Sequence, residues 1–309
     1  MKKSLQYLLL ALLAVCLTIG SAIAQDATPA GAEPPDPSAW NRSLDANLGI
    51  TQAQYSDNWA GGSASGVAWV GTLNALAQKQ LTTSLHWKNT LKIGFGQTHN
   101  QELATKNWLT PLKNTDQIDL ETILRLTRGW EVDPFVSGRL ETQFMDQTDP
   151  TKMKLFNPLK TSEVLGAART LWKADKRNWN VRLGFSLRQM IQMDYVDAVD
   201  TIPHTFVTND GGLQLDSDFS MPVNEVLALK SKLTVFKAFF NSESENLKGL
   251  PNETYWQAVD VNWDNTLTGQ LTSWLAMNLT VQLIYDKEVA LAGQFRETLS
   301  LGLTYMYKD

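Results

Sequence analysis

Residues 81–97 read LTTSLHWKNTLKIGFGQ, and they sort onto two faces. Leu85, Trp87, Leu91, Ile93 and Phe95 share one parity, while His86, Lys88, Thr90, Lys92, Gly94 and Gly96 share the other. Side chains of an extended chain point alternately to opposite sides, so a period of two predicts a strand with one greasy and one polar face.

The same alternation runs outward in both directions. Val259, Val261, Trp263, Leu267 and Leu271 alternate with Asp260, Asn262, Asp264, Thr266 and Gln270. Leu275, Met277, Leu279, Val281, Leu283 and Tyr285 alternate with Asn278, Thr280 and Gln282. Phe295, Leu299, Leu301, Leu303, Tyr305 and Tyr307 alternate with Arg296, Thr298, Ser300 and Gly302. Read through, the chain predicts twelve strands near 42–55, 63–77, 81–97, 115–128, 132–145, 162–173, 178–194, 212–221, 226–240, 257–271, 274–286 and 294–308. No helical period competes over a comparable length.

The connections are sorted by length. Gln78-Lys79-Gln80, Gly129-Trp130-Glu131, Ala174-Asp175-Lys176-Arg177, Pro222-Val223-Asn224-Glu225 and Thr272-Ser273 are tight, whereas 98–114, 146–161, 195–211 and 241–256 are long. Short turns at one end and long loops at the other is the arrangement of outer-membrane barrels, with both termini on the short-turn, periplasmic side. Aromatics fall into two belts. Trp40, Trp130, Trp172, Trp179, Trp274, Tyr305 and Tyr307 lie near the short turns; Tyr55, Trp59, Phe95, Phe144, Phe240, Trp256, Tyr285 and Phe295 lie towards the long loops. Two belts a strand apart suit the two membrane interfaces. The expected fold is an all-β, transmembrane, antiparallel up-and-down barrel of about twelve strands.

Composition agrees. Hydrophobic residues make up 43 % of the chain and tryptophans number 11. Past Ala24, however, no apolar run approaches the ~20 residues that a spanning helix needs. At the N-terminus Lys2 and Lys3 precede an apolar stretch over 8–19, and Ala22-Ile23-Ala24 offers small residues to a signal peptidase. Residues 1–24 are therefore expected to be a cleaved signal peptide, residues 25–39, rich in Ala, Pro and Asp, a disordered periplasmic lead, and residues 40–309 the barrel. Cys16 raises lipidation as a rival, against which Val15 is a poor preceding residue. Cleavage removes two lysines and no acid from 27 basic and 32 acidic residues, leaving a net charge of −7. That argues against a nucleic-acid partner, and a mature chain without cysteine has no disulfide or thiolate metal site.

The last strand holds a further signal. Ser300, Gly302, Tyr305 and Tyr307 form a polar–glycine–aromatic–aromatic series that resembles the C-terminal insertion signal read by the barrel-assembly machinery, here followed by Lys308 and Asp309. Other short motifs carry a family resemblance: Asn58-Trp59-Ala60-Gly61-Gly62, Asp260-Val261-Asn262-Trp263, Leu283-Ile284-Tyr285-Asp286 and Gln294-Phe295. Together they resemble an uncharacterised domain-of-unknown-function family of Gram-negative exported proteins. The resemblance spans most of 40–309, implies an outer-membrane barrel and brings no activity with it.

Chemistry is sparse. His86 falls on the polar parity, His99 and His204 fall in loops, and none has a metal-ligand partner at the usual spacing. No nucleophile elbow, phosphate loop or dinucleotide fingerprint occurs, so no cofactor and no metal are expected. A lipid-modifying enzyme of the outer membrane is the minor alternative; it would need a Ser–His pair facing the outer lipid, and His86 points inward.

The inward parity is richer. Arg125, Arg139, Arg169 and Arg182 fall at similar depth on four consecutive strands, with Arg188 higher on the same wall. Asp216, Asp218, Asp260 and Asp264 face them, with Lys230 and Lys232 between and Glu121 and Glu141 interleaved. One reading is a narrow channel for small polar or anionic solutes, with these residues as its constriction. The other is a closed structural or interaction barrel, its charges locked into buried pairs. Twelve strands permit both, since the lumen lies between a filled eight-stranded barrel and an aqueous porin. The partners expected are outer-membrane lipids, the assembly machinery and, for the channel, a small polar solute.

Overall fold

A computed structural model describes residues 39–55, 64–149, 152–174, 177–196 and 202–308. The expected signal peptide, nearly all of the expected lead, and the Asn58–Gly62 motif lie outside the described residues. No described helix is long and apolar enough to cross a membrane.

Fourteen strands form among the described residues. They are β1 (Asn41–Ala53), β2 (Gly66–Thr82), β3 (Leu85–Asn100), β4 (Leu112–Leu126), β5 (Asp133–Thr142), β6 (Met145–Asp146), β7 (Lys154–Leu155), β8 (Leu159–Ala174), β9 (Arg177–Asp194), β10 (His204–Pro222), β11 (Leu227–Asn241), β12 (Val259–Gln270), β13 (Leu275–Tyr285) and β14 (Gln294–Lys308). All but β6 and β7 close into one antiparallel barrel in which sequence neighbours are spatial neighbours and β1 meets β14. Each expected strand is present. The first hairpin turns at 83–84 rather than at Gln78–Gln80, because β2 continues through a bulge between Gln80 and Thr82. β10 begins eight residues earlier than expected, at His204.

Parity sets environment around the wall. On β8, Leu165 is 69 % exposed and Val164 is 3 % exposed. Their cross-strand partners agree: Leu165 faces outward beside Val136 and Phe185, and Val164 inward beside Ser137 and Ser186. Leu299, Leu301, Leu303 and Tyr305 give β14 an unbroken apolar outer face. A barrel greasy outside and polar inside satisfies every backbone group of a membrane-spanning sheet without an edge. Leu91 has the outward parity of Ala75 and Leu120 but is buried among its neighbours.

The connection from β5 to β8 is not bare loop. β6 and β7 pair as a small hairpin, and the side chain of Asn157 donates to Asp146 and accepts from the Met193 amide. Burial disfavours the charge on Asp146, yet hydrogen bonds from Thr148, Asn157 and Lys154 outweigh it and hold its pKa at about 2. The hairpin is thus fastened to the top of β9.

Candidate functional site

Inside the barrel the sequence mixes apolar and ionic residues in layers. On β4 the inward parity reads, from the short-turn end, Arg125, Ile123, Glu121 and Asp119. Ile123 packs with Phe135, Val164 and Ala168 in a buried apolar cluster inside the lumen. Gly166 and Gly184 face each other on β8 and β9; a Cβ on either would collide with the opposite backbone, so glycine lets the strands close tightly there.

Beside that cluster lies the ionic layer. Arg182 donates from Nη1 to Glu121 Oε1 at 2.8 Å, and its Nη2 lies 3.2 Å from Asp218 and 3.9 Å from Asp216. The other oxygen of Glu121 accepts from Lys232 Nζ at 3.1 Å. β11 and β4 stand five places apart in a ring of twelve, almost opposite, so this one carboxylate ties the two sides of the lumen together. Glu121 and Arg182 are 8 % and 4 % exposed. Asp216 is fixed by Gln214 and Thr234.

Three further ionic groups flank the layer. Arg139 makes a two-pronged bond to Asp119, both contacts at 2.8 Å, and reaches Glu141 at 3.0 Å. Arg125 pairs with Asp133 at 2.6 Å near the short turns. Towards the long loops, Arg188 holds Asp210 with two bonds and Asp260 with a third at 2.9 Å, its guanidinium stacked 3.5 Å above the Phe236 ring. Glu288, on the β13–β14 loop, meets Asn241 at 3.4 Å. Burial, reinforced by Asp286, Asp260 and Asp210, raises its pKa to about 7.

The expected site residues can now be placed. Arg125, Arg139, Arg182, Arg188, Asp216, Asp218, Asp260 and Asp264 all carry the inward parity. Asp264 faces Lys92 at 3.7 Å across β12 and β3. Arg169 is a correction. It pairs with outward Val181, its side chain is 54 % exposed, and it meets Glu131 at the short-turn rim. A bulge between Thr170 and Trp172 inserts one residue, so parity counted up from Trp172 is inverted above it. Lys230 also faces inward.

The sequence reading passed over Asp119, Asp133 and Asp210. Asp119 shares the parity of Glu121, a signal that points to it; Asp210 lies ahead of residue 212, where the alternation first marks the strand. Phe135 and Phe236 were missed because an apolar side chain on a polar face breaks the alternation that identified the strand.

Comparison with known proteins adds a partial family match and a fold likeness. Residues 50–147 match the family described as "Protein of unknown function (DUF3078)". The matched residues include the Asn58–Gly62 motif but not the C-terminal ones. No curated protein matches the chain. Among solved structures, an outer-membrane channel from Pseudomonas putida F1 is 15 % identical with a TM-score of 0.38, over 90 % of this chain and 100 % of that one. The translocator domain of the autotransporter NalP from Neisseria meningitidis is 13 % identical with a TM-score of 0.35, over 87 % of each chain. The transport unit of the autotransporter AIDA-I from Escherichia coli is 8 % identical with a TM-score of 0.27, over 94 % of each.

Proposed function

We propose that this protein is exported by its N-terminal signal, inserted into the outer membrane through its C-terminal strand, and closed across its lumen by buried ion pairs. It is a structural or binding barrel rather than an open diffusion pore. The observation that carries this is Glu121, which from β4 bonds Arg182 on β9, three strands away, and Lys232 on β11, on the nearly opposite wall. A dry lumen tolerates charge only when the charge is paired and hydrogen-bonded, and the neighbouring Ile123–Phe135–Val164–Ala168 cluster is what a filled interior contains.

A narrow channel is the second reading, favoured by one observation. Lys92, on the inward parity of β3, has a side chain 42 % exposed and lies 3.7 Å from Asp264, so at least this cation of the lumen reaches solvent. Planar-bilayer recording of the refolded protein decides between them. A silent wild type supports the closed barrel. Steady unitary steps that change selectivity in Lys92→Gln would support the channel instead.

A further inference from the structure

Cations gather at the short-turn end of the lumen, on the far side of the apolar cluster from the Glu121 layer. His86 is the second residue of β3, Arg125 the last but one of β4, Lys173 the last but one of β8, and Asn180 the fourth of β9. His86 and Arg125 are cross-strand neighbours on the inward parity, and Lys88 stands opposite Ile123 two residues higher. Lys173 stands opposite Asn178, which shares the inward parity of Asn180 and Arg182. Lys88, Arg125 and Lys173 all lie within electrostatic reach of the His86 imidazole, so groups from β3, β4 and β8 meet in one place. The cluster of Ile123, Phe135, Val164 and Ala168 roofs that place, since Arg125 pairs with Phe135 and Asp133 with Ala168.

Donors here outnumber acceptors. Arg125 takes Asp133 with two nitrogens, at 2.8 and 2.6 Å. Asp218, beside Asn180 on the neighbouring strand, is held by Arg182. With both of these carboxylates taken, half-buried Lys88 and exposed Lys173 have none within 4.0 Å among the described residues, and neither donates a hydrogen bond there. Asn180 accepts at Oδ1 from Arg125 Nη1 at 3.4 Å and from Thr170 Oγ1 at 2.7 Å. That fixes the amide, and its nitrogen is left without an acceptor among the described residues. His86 likewise has no hydrogen-bond partner there. Two ammonium groups, an imidazole and an amide donor therefore share one end of a lumen whose low-dielectric wall concentrates their field.

We propose that this short-turn vestibule binds one small phosphate-bearing anion, either free phosphate or a phosphate monoester. Lys88 and Lys173 supply the charge, Asn180 and His86 supply further donors, and Arg125 stays with Asp133 as part of the wall. A phosphate dianion presents acceptors in every direction and answers two ammonium charges that no carboxylate neutralises, whereas a single carboxylate would answer one of them. The binding itself needs the folded barrel and not a closed lumen. Its position on the periplasmic side rests on the reading of the short turns as periplasmic.

The test is isothermal titration calorimetry of the refolded full barrel in octyl glucoside micelles, with inorganic phosphate, glycerol 3-phosphate and acetate at fixed ionic strength. Wild type should bind one phosphate or one glycerol 3-phosphate per barrel, about tenfold more tightly than acetate, and the tighter of the two names the source. Lys88→Gln/Lys173→Gln should lose about tenfold or more in affinity. Without phosphate it should keep the wild-type guanidinium unfolding midpoint, because neither lysine has an ion pair to lose. Arg169→Gln, which removes a cation from the outer rim at the same end, should bind as the wild type does. Absence of saturable phosphate binding overturns the proposal, as does unchanged affinity in the double variant. Equal weakening by Arg169→Gln overturns it too, since the attraction would then be diffuse. Should the double variant not fold, Lys173→Gln alone, at the exposed end of the group, decides. A wild type that conducts yet binds phosphate would sink the closed-lumen reading and leave this site standing.

Discussion

Replacing Glu121 by Ala should break the tie across the lumen. Its carboxylate accepts Arg182 at 2.8 Å and Lys232 at 3.1 Å, and its side chain is 10 % exposed. Arg182 would keep Asp218 at 3.2 Å and Asp216 at 3.9 Å, but Lys232 would keep no carboxylate within 4.0 Å among the described residues. Removing one partner of a buried ion pair costs about 3–5 kcal/mol, because the remaining charge stays desolvated. The cost here should fall in that range, a large share of the ~5–15 kcal/mol that holds a typical domain folded. Guanidinium unfolding in detergent micelles, followed by tryptophan fluorescence, measures it. The companion variant Glu121→Met/Lys232→Met should recover much of the loss, since a well-packed apolar pair replaces a buried ionic one at little net cost. In planar bilayers the wild type should be silent and Glu121→Ala should show openings. A wild type that conducts steadily, with Glu121→Ala less than ~1 kcal/mol destabilised, would mean that these groups stand in water, and the reasoning would fail.

Three other outcomes are expected. Leu165→Arg places a charge on the outer wall at a side chain 69 % exposed and should cost about 2–4 kcal/mol near the midplane, read as lower folded yield in lipid vesicles; a yield equal to that of Leu165→Val would deny that this face meets lipid. Arg169→Gln should change stability by less than ~1 kcal/mol, because its pair with Glu131 is exposed on the outer rim; a larger loss in the same guanidinium titration would put the side chain back in the lumen. Glu288 has a folded pKa near 7, above the ordinary carboxylate value, so the folded loop binds its proton more tightly than the unfolded one. Loop stability should therefore rise as pH falls from about 7 towards about 4.5, and Glu288→Gln should abolish the dependence; amide exchange over 286–290, corrected for intrinsic rates, would count against this if protection did not change with pH.

The sequence by itself determined the barrel. Alternation is a property of the extended chain alone, so Leu85 to Gly96 announced two faces with no knowledge of any neighbour, and the sorting of short and long connections supplied the direction of every strand. It also determined that eight of the nine expected constriction residues point inward. The tertiary structure decided the rest. Arg169 was turned outward by a single inserted residue at 170–172, which leaves the composition of the strand unchanged and inverts everything above it. Lys232 met Glu121, 111 positions away, because closure and strand stagger bring β11 and β4 to opposite sides of one lumen. Which cation reaches which acid, and where the ladder between β1 and β14 stops, depend on how the whole sheet rolls shut, and no local period records that.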